Sequence, residues 1–244
     1  MPPKNKCAPG VKKGADGSCL PAGVARSVRG CSTDLCAAKK LGGDMLDRIR
    51  PEKPAEWLTN PRTWLDTNNI DAVMRQYERA YRRFKYVSTL PIDAYEAKRD
   101  GSCVSHHKAI DFVRLARSGK QIVGMIFNLD RHDQSGSHWV MAAVNFRLPT
   151  MPEIYYYDSF GKAPPKPVKD LFRSVLSKLP KSTVAGVVKG VRYNKKAHQR
   201  LNTECGIFAI CALEAVLRGA DFEKYCKLDL TDDVAFKSRD RLFS

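Results

Sequence analysis

The sequence lacks long apolar runs and is poor in acidic residues. No uninterrupted apolar stretch approaches the roughly 20 residues that a transmembrane helix needs. The N-terminal "MPPKNKCAPGVKKGADGSCLP" has no apolar centre of the kind found in secretory signals. We therefore expect no signal peptide, no membrane anchor and no membrane partner. The 26 Asp and Glu residues face 42 Lys and Arg, a net charge of +16 that favours polyanionic partners such as nucleic acid.

The eight cysteines include no CxxC pair. This absence argues against a redox motif of the thioredoxin type and against the commonest zinc motifs, so we expect chemistry that needs no metal. Four of the cysteines lie in the first 54 residues, a stretch rich in Gly, Pro, Lys and Arg. These four cysteines could bind zinc, form a disulfide or belong to an extension without any ligand. They are Cys7, Cys19, Cys31 and Cys36.

A proline-rich joint, "RPEKPAEWLTNP", separates this basic extension from the rest of the chain. Its prolines discourage a continuous helix across the joint. The residues that follow are long enough and apolar enough to form one substantial core, since 43% of the whole chain is hydrophobic. We predict an N-terminal extension over 1–54 and a main domain over 55–244.

Helical and strand-like patterns follow one another along the main domain. A helix capped by Asp66, Thr67 or Asn68 is predicted near Asn69, with one apolar face made of Ile70, Val73, Met74, Tyr77 and Tyr81. The runs "QIVGMIFNLD", "HWVMAAVNF" and "EIYYYDSF" predict consecutive strands with both faces largely covered. Another strand is predicted at "VVKGVRY", and further helices over 103–117, 167–179 and 205–218. Helices before and after a sheet predict an α+β fold.

Cys205, in "NTECGIFAIC", is the leading candidate for a nucleophile. If the helix begins at this residue, its thiol lies at the positive end of the helix dipole, which favours the thiolate. Gly206 would leave room for a substrate backbone to approach. The alternative is a small apolar residue at the start of a core helix, which is our interpretation of Cys211 and Cys226.

Three further residues could complete a cysteine-protease site. His138 opens a strand after the polar loop "RHDQSGS", and Asp158 ends the next strand, so antiparallel pairing would bring both to one edge. We predict that His138 is the general base and that Asp158 orients it. Gln199, six residues before Cys205, could donate to the oxyanion together with a backbone N–H. A surface histidine, a turn-capping aspartate and an ordinary loop glutamine are the plainer interpretations.

Cys103 is the alternative nucleophile. The segment "DGSCVSHH" also places a cysteine at a predicted helix start, and the order Cys, His, Asp would suit a papain-like site. This assignment leaves Gln199 and Cys205 unexplained and lacks the neighbouring residues of the papain signature. The adjacent His106 and His107 do not have the i, i+4 spacing of a metal pair, so we interpret them as surface or partly buried residues.

Four short motifs, in this order and spacing, resemble those of the ubiquitin-like-protein proteases and the adenovirus maturation protease: His138-Trp139, Asp158-Ser159, Gln199 and Cys205-Gly206. The segment "TWLD" at 63–66 suits the same family. Within it, "YRRFKYVSTLPIDAY" and "FNLDRHDQSGSHWV" resemble the polyprotein-processing proteases of large double-stranded DNA viruses, of the African swine fever virus type. The resemblance covers about 55–244. It implies a papain-like cysteine protease fold, with a central mixed or antiparallel sheet flanked by helices and the nucleophile at a helix N-terminus.

The resemblance also implies a substrate class. Such enzymes cut after Gly-Gly or Gly-x motifs, mature viral structural polyproteins in the assembling particle and require no cofactor. Trp64 and Trp139 would roof a narrow channel that admits glycine. The implied location is the virion and the host cytoplasm at virus assembly sites. A host conjugate of a ubiquitin-like protein is the alternative substrate, and activation by DNA or by a peptide remains open.

Two other functions compete with proteolysis. Some bacterial acetyltransferases share the His, acid, Cys layout, but they usually carry Glu as the acid and need an acyl-CoA site; Asp158 favours hydrolysis. A DNA-binding virion protein with a vestigial protease fold is the second. Between 162 and 200 the sequence has eleven Lys or Arg residues and one acidic residue, Asp170, a charge excess that would favour contacts with phosphates. The candidate contacts to non-specific DNA are Lys189, Arg192, Lys195 and Lys196.

Overall fold

The computed structural model describes residues 50–96, 110–148, 152–178 and 191–244. Nearly all of the predicted extension and the alternative nucleophile Cys103 lie outside these residues, as do His106, His107 and Lys189. The N-terminal cysteines lie outside them too: Cys7, Cys19, Cys31 and Cys36. The division at residue 54 therefore stays a prediction. The joint itself packs on the other end of the chain, because Lys53 N donates to the Ser244 carbonyl at 3.1 Å and Ser244 N donates to the Pro51 carbonyl at 2.9 Å.

A five-stranded mixed sheet forms the centre of the described structure, and it confirms the predicted α+β class. Its strands follow the chain order from one edge to the other: β1 (Phe84–Pro91), β2 (Ile122–Asn128), β3 (Trp139–Asn145), β4 (Glu153–Tyr157) and β5 (Arg192–Tyr193). The pairs β1–β2 and β4–β5 are parallel, and the pairs β2–β3 and β3–β4 are antiparallel. The three β-rich runs of the sequence are β2, β3 and β4.

Helices cover both faces of this sheet. One face carries α1 (Thr67–Ala80), and the other carries α2 (Phe112–Arg117) and α3 (Lys166–Lys178). On the α1 face also lie α4 (Cys205–Leu217), α5 (Phe222–Lys227) and α6 (Asp232–Leu242). Alternate residues of β3 serve the two cores, since Met141 and Ala143 join the cluster beneath α4 while Val140 and Ala142 join the cluster beneath α3. A short 3-10 helix, Ala55–Leu58, precedes α1.

Helix α4 is buried on almost every side. Eleven of its thirteen residues are buried, among them Ile207, Phe208 and Leu213. Each fully buried Leu, Ile or Phe side chain is worth roughly 1.5–3 kcal/mol of transfer free energy. A helix held by this many apolar contacts has little freedom to shift, so the residue at its N-terminus is set firmly against β3.

Local capping explains where two helices begin. Asp66 caps α1, since its side chain accepts from Asn69 N at 2.7 Å and Asn69 Oδ1 accepts from Asp66 N at 3.0 Å. Helix α2 begins at Phe112, with Asp111 as its side-chain cap, so the predicted helix over 103–117 is wrong at positions 110 and 111, whereas its predicted end at 117 agrees with the structure. The short polar side chain of Asp111 competes with helix continuation by bonding the backbone N–H of Arg114 at 2.9 Å.

The sequence patterns did not single out β1, α5 or α6. In β1 the polar residues Ser88 and Thr89 are buried and interrupt the apolar run. Thr89 is tolerated there because Asp71 accepts from its backbone N–H at 2.9 Å and from its hydroxyl at 2.6 Å. Such a partner is distant in sequence and invisible to a periodicity argument. Within the described ranges, no helix is long and apolar enough to span a membrane.

Candidate active site

His138 and Asp158 meet at one edge of the sheet. His138 directly precedes β3, and Asp158 directly follows β4. The antiparallel register pairs Met141 with Tyr157, which brings the start of one strand beside the end of the other. His138 Nε2 donates to Asp158 Oδ1 at 2.8 Å, with the histidine 9% and the aspartate 0% exposed. The structure thus brings together the predicted base and the predicted orienting acid, and leaves the opposite ring atom, Nδ1, for another partner.

Cys205 is the second group that acts on this imidazole. It is the first residue of α4 and is 2% exposed. The pKa of His138 is raised from 6.5 to about 9: burial lowers it, but hydrogen bonds to Asp158 and to the Cys205 sulfur, together with the charges on both groups, raise it further than burial lowers it. An imidazole with this pKa keeps its proton at neutral pH, which is the state required for an ion pair with a thiolate.

Two residues that the sequence did not indicate hold the acid in place. Asn194 Oδ1 accepts from Asp158 N at 2.9 Å, and its Nδ2 donates to the Asp158 carbonyl at 2.6 Å. Phe160 N donates to Asp158 Oδ1 at 2.8 Å, and the Phe160 ring stacks on His138 with 4.8 Å between centroids. Within the described part of the chain, Asp158 Oδ2 is buried and has no hydrogen-bond partner. A polar residue directly after a two-residue strand was the one available signal for Asn194.

Gln199 lies in a segment that is bonded to the turn after Asp158. His198 N and Gln199 N both donate to the Ser159 carbonyl, at 2.8 and 3.0 Å. Gly161 adopts φ +73°, and a Cβ there would stand 2.9 Å from the Lys195 carbonyl oxygen, so glycine is required for this close approach. His198 is buried, with its Nδ1 2.6 Å from the Tyr157 hydroxyl, and its pKa is lowered by burial and by the Lys196 charge.

The side-chain amide of Gln199 is oriented on both sides. Ser159 Oγ donates to Gln199 Oε1 at 2.6 Å, and Gln199 Nε2 donates to the Leu201 carbonyl at 2.7 Å. An amide nitrogen has two protons, so one proton of Nε2 stays available for an oxyanion. The residue is 2% exposed, which makes this a dry environment where such a donor is strong.

The two predicted substrate-binding tryptophans line one groove of ≈ 520 Å³, together with Leu65, Thr67, Gly136 and Ser137. Trp139 is 8% exposed, and its Nε1 donates to the Leu65 carbonyl at 3.0 Å. Trp64 is 40% exposed and therefore free to contact a ligand. A Cβ on Gly206 would lie 3.2 Å from Leu65 and 3.3 Å from Trp139 Cδ1, so the glycine makes room for these two side chains. Its predicted role in the approach of a substrate backbone stays a prediction.

The candidate DNA contacts are partly neutralised by acids. Arg192 lies 3.0 Å from Glu153 and 3.5 Å from Glu223, and Lys196 lies 2.5 Å from Asp229. Lys195 is placed over the ring of Tyr193 at 5.9 Å. Lys189 lies outside the described residues. Among the described residues there is also no group of three or more His, Cys, Asp or Glu side chains that could hold a metal ion.

Comparisons with known proteins identify a family for this chain. Residues 116–243 match the family described as "Ulp1 protease family, C-terminal catalytic domain". A protein of Acanthamoeba polyphaga mimivirus named as a thiol protease, R355, is 29% identical over 198 residues, which are 79% of this chain and 61% of that protein. The chain thus spans about three fifths of this relative's length. The SUMO-1 cysteine protease S273R of African swine fever virus is 25% identical over 88% of this chain and 83% of that protein.

Solved structures share the fold. The crystal structure of the African swine fever virus protease pS273R superposes with a TM-score of 0.63 at 22% identity, over 86% of this chain and 78% of that one. The C-terminal Ulp1 protease domain, solved in complex with Smt3, the yeast orthologue of SUMO, superposes with a TM-score of 0.50 at 16% identity, over 74% of this chain and 75% of that one. The chain belongs to the Ulp1 protease family, and the relatives named here are cysteine or thiol proteases.

Proposed function

We propose that this chain is a cysteine endopeptidase that cleaves after glycine. Cys205 attacks the scissile carbonyl, His138 acts first as base and then as acid, and Asp158 orients the imidazole. The observation that carries the proposal is the 2.8 Å bond from His138 Nε2 to Asp158, with Cys205 at the N-terminus of α4 close enough to raise the pKa of the same ring. This arrangement can hold an imidazolium beside a thiolate, which is the pair that nucleophilic catalysis by cysteine requires.

The chemistry proceeds from these positions. Transfer of the Cys205 thiol proton to Nδ1 of His138 gives a thiolate–imidazolium pair before substrate is attacked. The thiolate then attacks the carbonyl carbon to give a tetrahedral oxyanion. The free proton of Gln199 Nε2 and backbone N–H groups of the first turn of α4 donate to that oxyanion. The imidazolium then protonates the leaving amine, and a water activated by the same imidazole hydrolyses the thioester. No cofactor is needed at any step.

The preference for glycine is supported by the groove that Trp64 and Trp139 line. Trp139 is fixed by its bond to the Leu65 carbonyl, so it cannot swing aside for a bulky side chain. A groove with a fixed aromatic ring in its wall rejects larger residues by steric clash, which is a stronger discrimination than a missing methylene provides. The cleavage motif is proposed to be of the Gly-Gly-x type.

The proposed substrate is a viral structural polyprotein, matured during assembly of a virion in the host cytoplasm. The viral origin of the relatives supports this assignment. A deconjugating protease of the SUMO type is the second candidate, favoured by the superposition on a Ulp1 domain bound to a SUMO orthologue. A short Gly-Gly-x peptide and a folded ubiquitin-like conjugate distinguish the two, because a deconjugating enzyme depends on surface contacts that a peptide lacks.

DNA remains a proposed partner and a proposed activator, as does a peptide. The basic run from 162 to 200 supports it, although two of the candidate side chains are paired with acids. A phosphate-binding site of this kind weakens steeply with salt. Mixed-sequence duplex DNA should therefore bind at low salt and release at high salt. If the protein binds DNA at low salt no more tightly than it binds a neutral polymer, DNA is neither a partner nor an activator. The same result would exclude the alternative of a DNA-binding virion protein.

The decisive experiment is covalent trapping. The protein is incubated with a Gly-Gly peptide that carries a thiol-reactive electrophile, and the labelled cysteine is identified by mass spectrometry. Label on Cys205 supports the proposal, and label on Cys103 would reassign the nucleophile. Cleavage of a Gly-Gly-x peptide without any acyl donor separates the protease from an acetyltransferase with the same layout.

A further inference from the structure

A buried arginine near the C-terminus contacts the residue that precedes the nucleophile. Arg239 lies on α6 and is 2% exposed. Its Nε donates to Glu204 Oε2 at 2.9 Å, and Glu204 is 0% exposed. Glu204 is the N-cap residue of α4, directly before Cys205. The ion pair therefore ties the last helix of the chain to the end of α4 where the thiol lies.

The same guanidinium contacts the segment that leads into the groove. Arg239 Nη1 donates to the carbonyls of Pro61 and Thr63, at 3.0 and 2.9 Å. Cζ of Arg239 lies 4.4 Å from the centroid of the Trp57 ring, and Trp57 Nε1 donates to the Thr63 carbonyl at 3.2 Å. The backbone on the N-terminal side of Trp64 is therefore held by two buried donors.

This segment continues directly into the groove wall, defined here as Trp64 and Leu65. The Leu65 carbonyl accepts from Trp139, and the Leu65 side chain lies against Gly206. A single guanidinium thus bonds the backbone that carries one side of the groove and the carboxylate beside the nucleophile. These contacts join the segment that precedes Trp64 to the residue that precedes Cys205.

We propose that Arg239 is a positioning residue for substrate, one that holds the groove wall in register with Cys205. This inference rests on the proposed protease function. The planar fork of arginine donates in several fixed directions at once, whereas lysine offers a compact ammonium on a flexible stem. An Arg239→Lys variant keeps the charge opposite Glu204 but cannot also reach both backbone carbonyls. A groove wall out of register makes poorer contacts with bound substrate, which raises KM.

The test compares substrate turnover with the reactivity of the thiol alone. For Arg239→Lys we expect kcat/KM on a Gly-Gly-x peptide to fall by about 10–100-fold, mostly through KM. Alkylation of Cys205 by iodoacetamide, a small reagent that needs no groove, should stay within about twofold of wild type, because the contacts of His138 are untouched. Thermal unfolding should stay cooperative.

Arg241→Lys is the matched control. Arg241 lies on the same helix and pairs with Glu214 of α4 at 2.6 Å, toward the end of α4 away from the thiol. We expect its kcat/KM to equal that of wild type. A wild-type kcat/KM in Arg239→Lys, or an equal loss of kcat/KM in Arg241→Lys, would overturn the inference. Either result would mean that Arg239 only helps to pack α6 against the domain.

A second variant covers the case in which Arg239→Lys does not fold. Glu204→Gln/Arg239→Met removes both buried charges, so no unpaired charge remains in the core. It still lacks the donors to Pro61 and Thr63, and the same rise in KM is expected. Full activity in the double variant would overturn the role of Arg239. A wild-type protein whose Cys205 is never labelled would instead overturn the proposed function itself, and the inference with it.

Discussion

Ser159 Oγ donates a 2.6 Å hydrogen bond to Gln199 Oε1, across forty positions of the chain. The bond decides which end of the glutamine amide accepts and which end donates, since Oε1 is occupied by the hydroxyl. Gln199 Nε2 is thereby the end that can stabilise negative charge. Ser159 follows Asp158 directly, so one turn orients both the imidazole of His138 and the amide of Gln199, the proposed oxyanion donor.

Ser159→Ala should lower kcat while leaving KM near its wild-type value. Without the hydroxyl, the amide of Gln199 loses the bond that fixes its orientation, and its donor is presented only part of the time. Gln199→Ala, which removes the donor altogether, should cost about 10²–10³ in kcat, and Ser159→Ala should cost less. Steady-state kinetics on a Gly-Gly-x peptide would measure both; an unchanged kcat in Ser159→Ala would show that this bond does not matter.

Cys205→Ala should abolish cleavage without unfolding the protein, because the change removes one buried atom. The other described cysteines should be dispensable. Burial raises the pKa of Cys211 to about 11 and that of Cys226 to about 12, so both thiols stay protonated at neutral pH. Cys103→Ser should also retain activity. Peptide turnover, with circular dichroism as the folding control, is the measurement, and turnover by Cys205→Ala would refute the assignment.

Asp158→Asn should slow turnover less than His138→Ala. An asparagine carbonyl can still accept from His138 Nε2 and from Phe160 N, and its amide group would occupy the place of an oxygen that lacks a described partner. Loss of the imidazole removes the base itself, which is typically worth about 10²–10⁴ in rate. Single-turnover rates of the two variants would rank them, and the reverse order would contradict the assigned roles.

The raised pKa of His138 makes stability depend on pH in a defined direction. A folded-state pKa of about 9, above the usual 6.5, means that the imidazolium stabilises the fold fully below pH 6.5. That contribution is lost as the pH rises toward and through 9. The difference between the two pKa values corresponds to about 3 kcal/mol of unfolding free energy, which is lost between pH 6.5 and pH 9.

Chemical denaturation at several pH values would check this window. The difference in unfolding free energy between wild type and His138→Asn should be largest near pH 6 and should shrink by pH 10. Peptide turnover should also decline above pH 9, because the acid for the leaving amine is lost. A difference that does not change between pH 6 and pH 10 would contradict the raised pKa.

Gly206→Ala should weaken substrate binding as well as stability. The added methyl would press on Leu65 and Trp139 at 3.2 and 3.3 Å and push the groove wall outward. Overpacking of this kind costs about 1–3 kcal/mol. Gly124→Ala is the control, since its methyl would meet Leu213 and Phe84 in the core, away from the groove. Both variants should lower Tm, but an increase in KM is expected for Gly206→Ala alone. If Gly206→Ala and Gly124→Ala have the same KM, the added methyl at position 206 does not move the groove wall.

Much of the fold was predictable because periodicity reports burial. The strands at 122–128, 139–145 and 153–157 and the helix at 205–217 are apolar enough to be recognised alone. Strand β1 was not, since its buried Thr89 depends on Asp71, eighteen positions earlier. The start of α2 was misplaced because a local cap at Asp111 outweighed helix propensity.

The sequence determined the order and spacing of the four proposed catalytic residues, which are His138, Asp158, Gln199 and Cys205. It also determined the apolar pattern that builds the sheet and α4 around them. Tertiary structure alone decided how these side chains are held. The contacts of Asn194 with Asp158, of Ser159 with Gln199 and of Arg239 with Glu204 each join residues at least thirty-five positions apart. Hydrogen bonds of this kind form only when the donor and acceptor, from distant parts of the chain, lie within a few tenths of an ångström of the correct distance. They exist only once the core has packed, and a linear pattern carries no record of them.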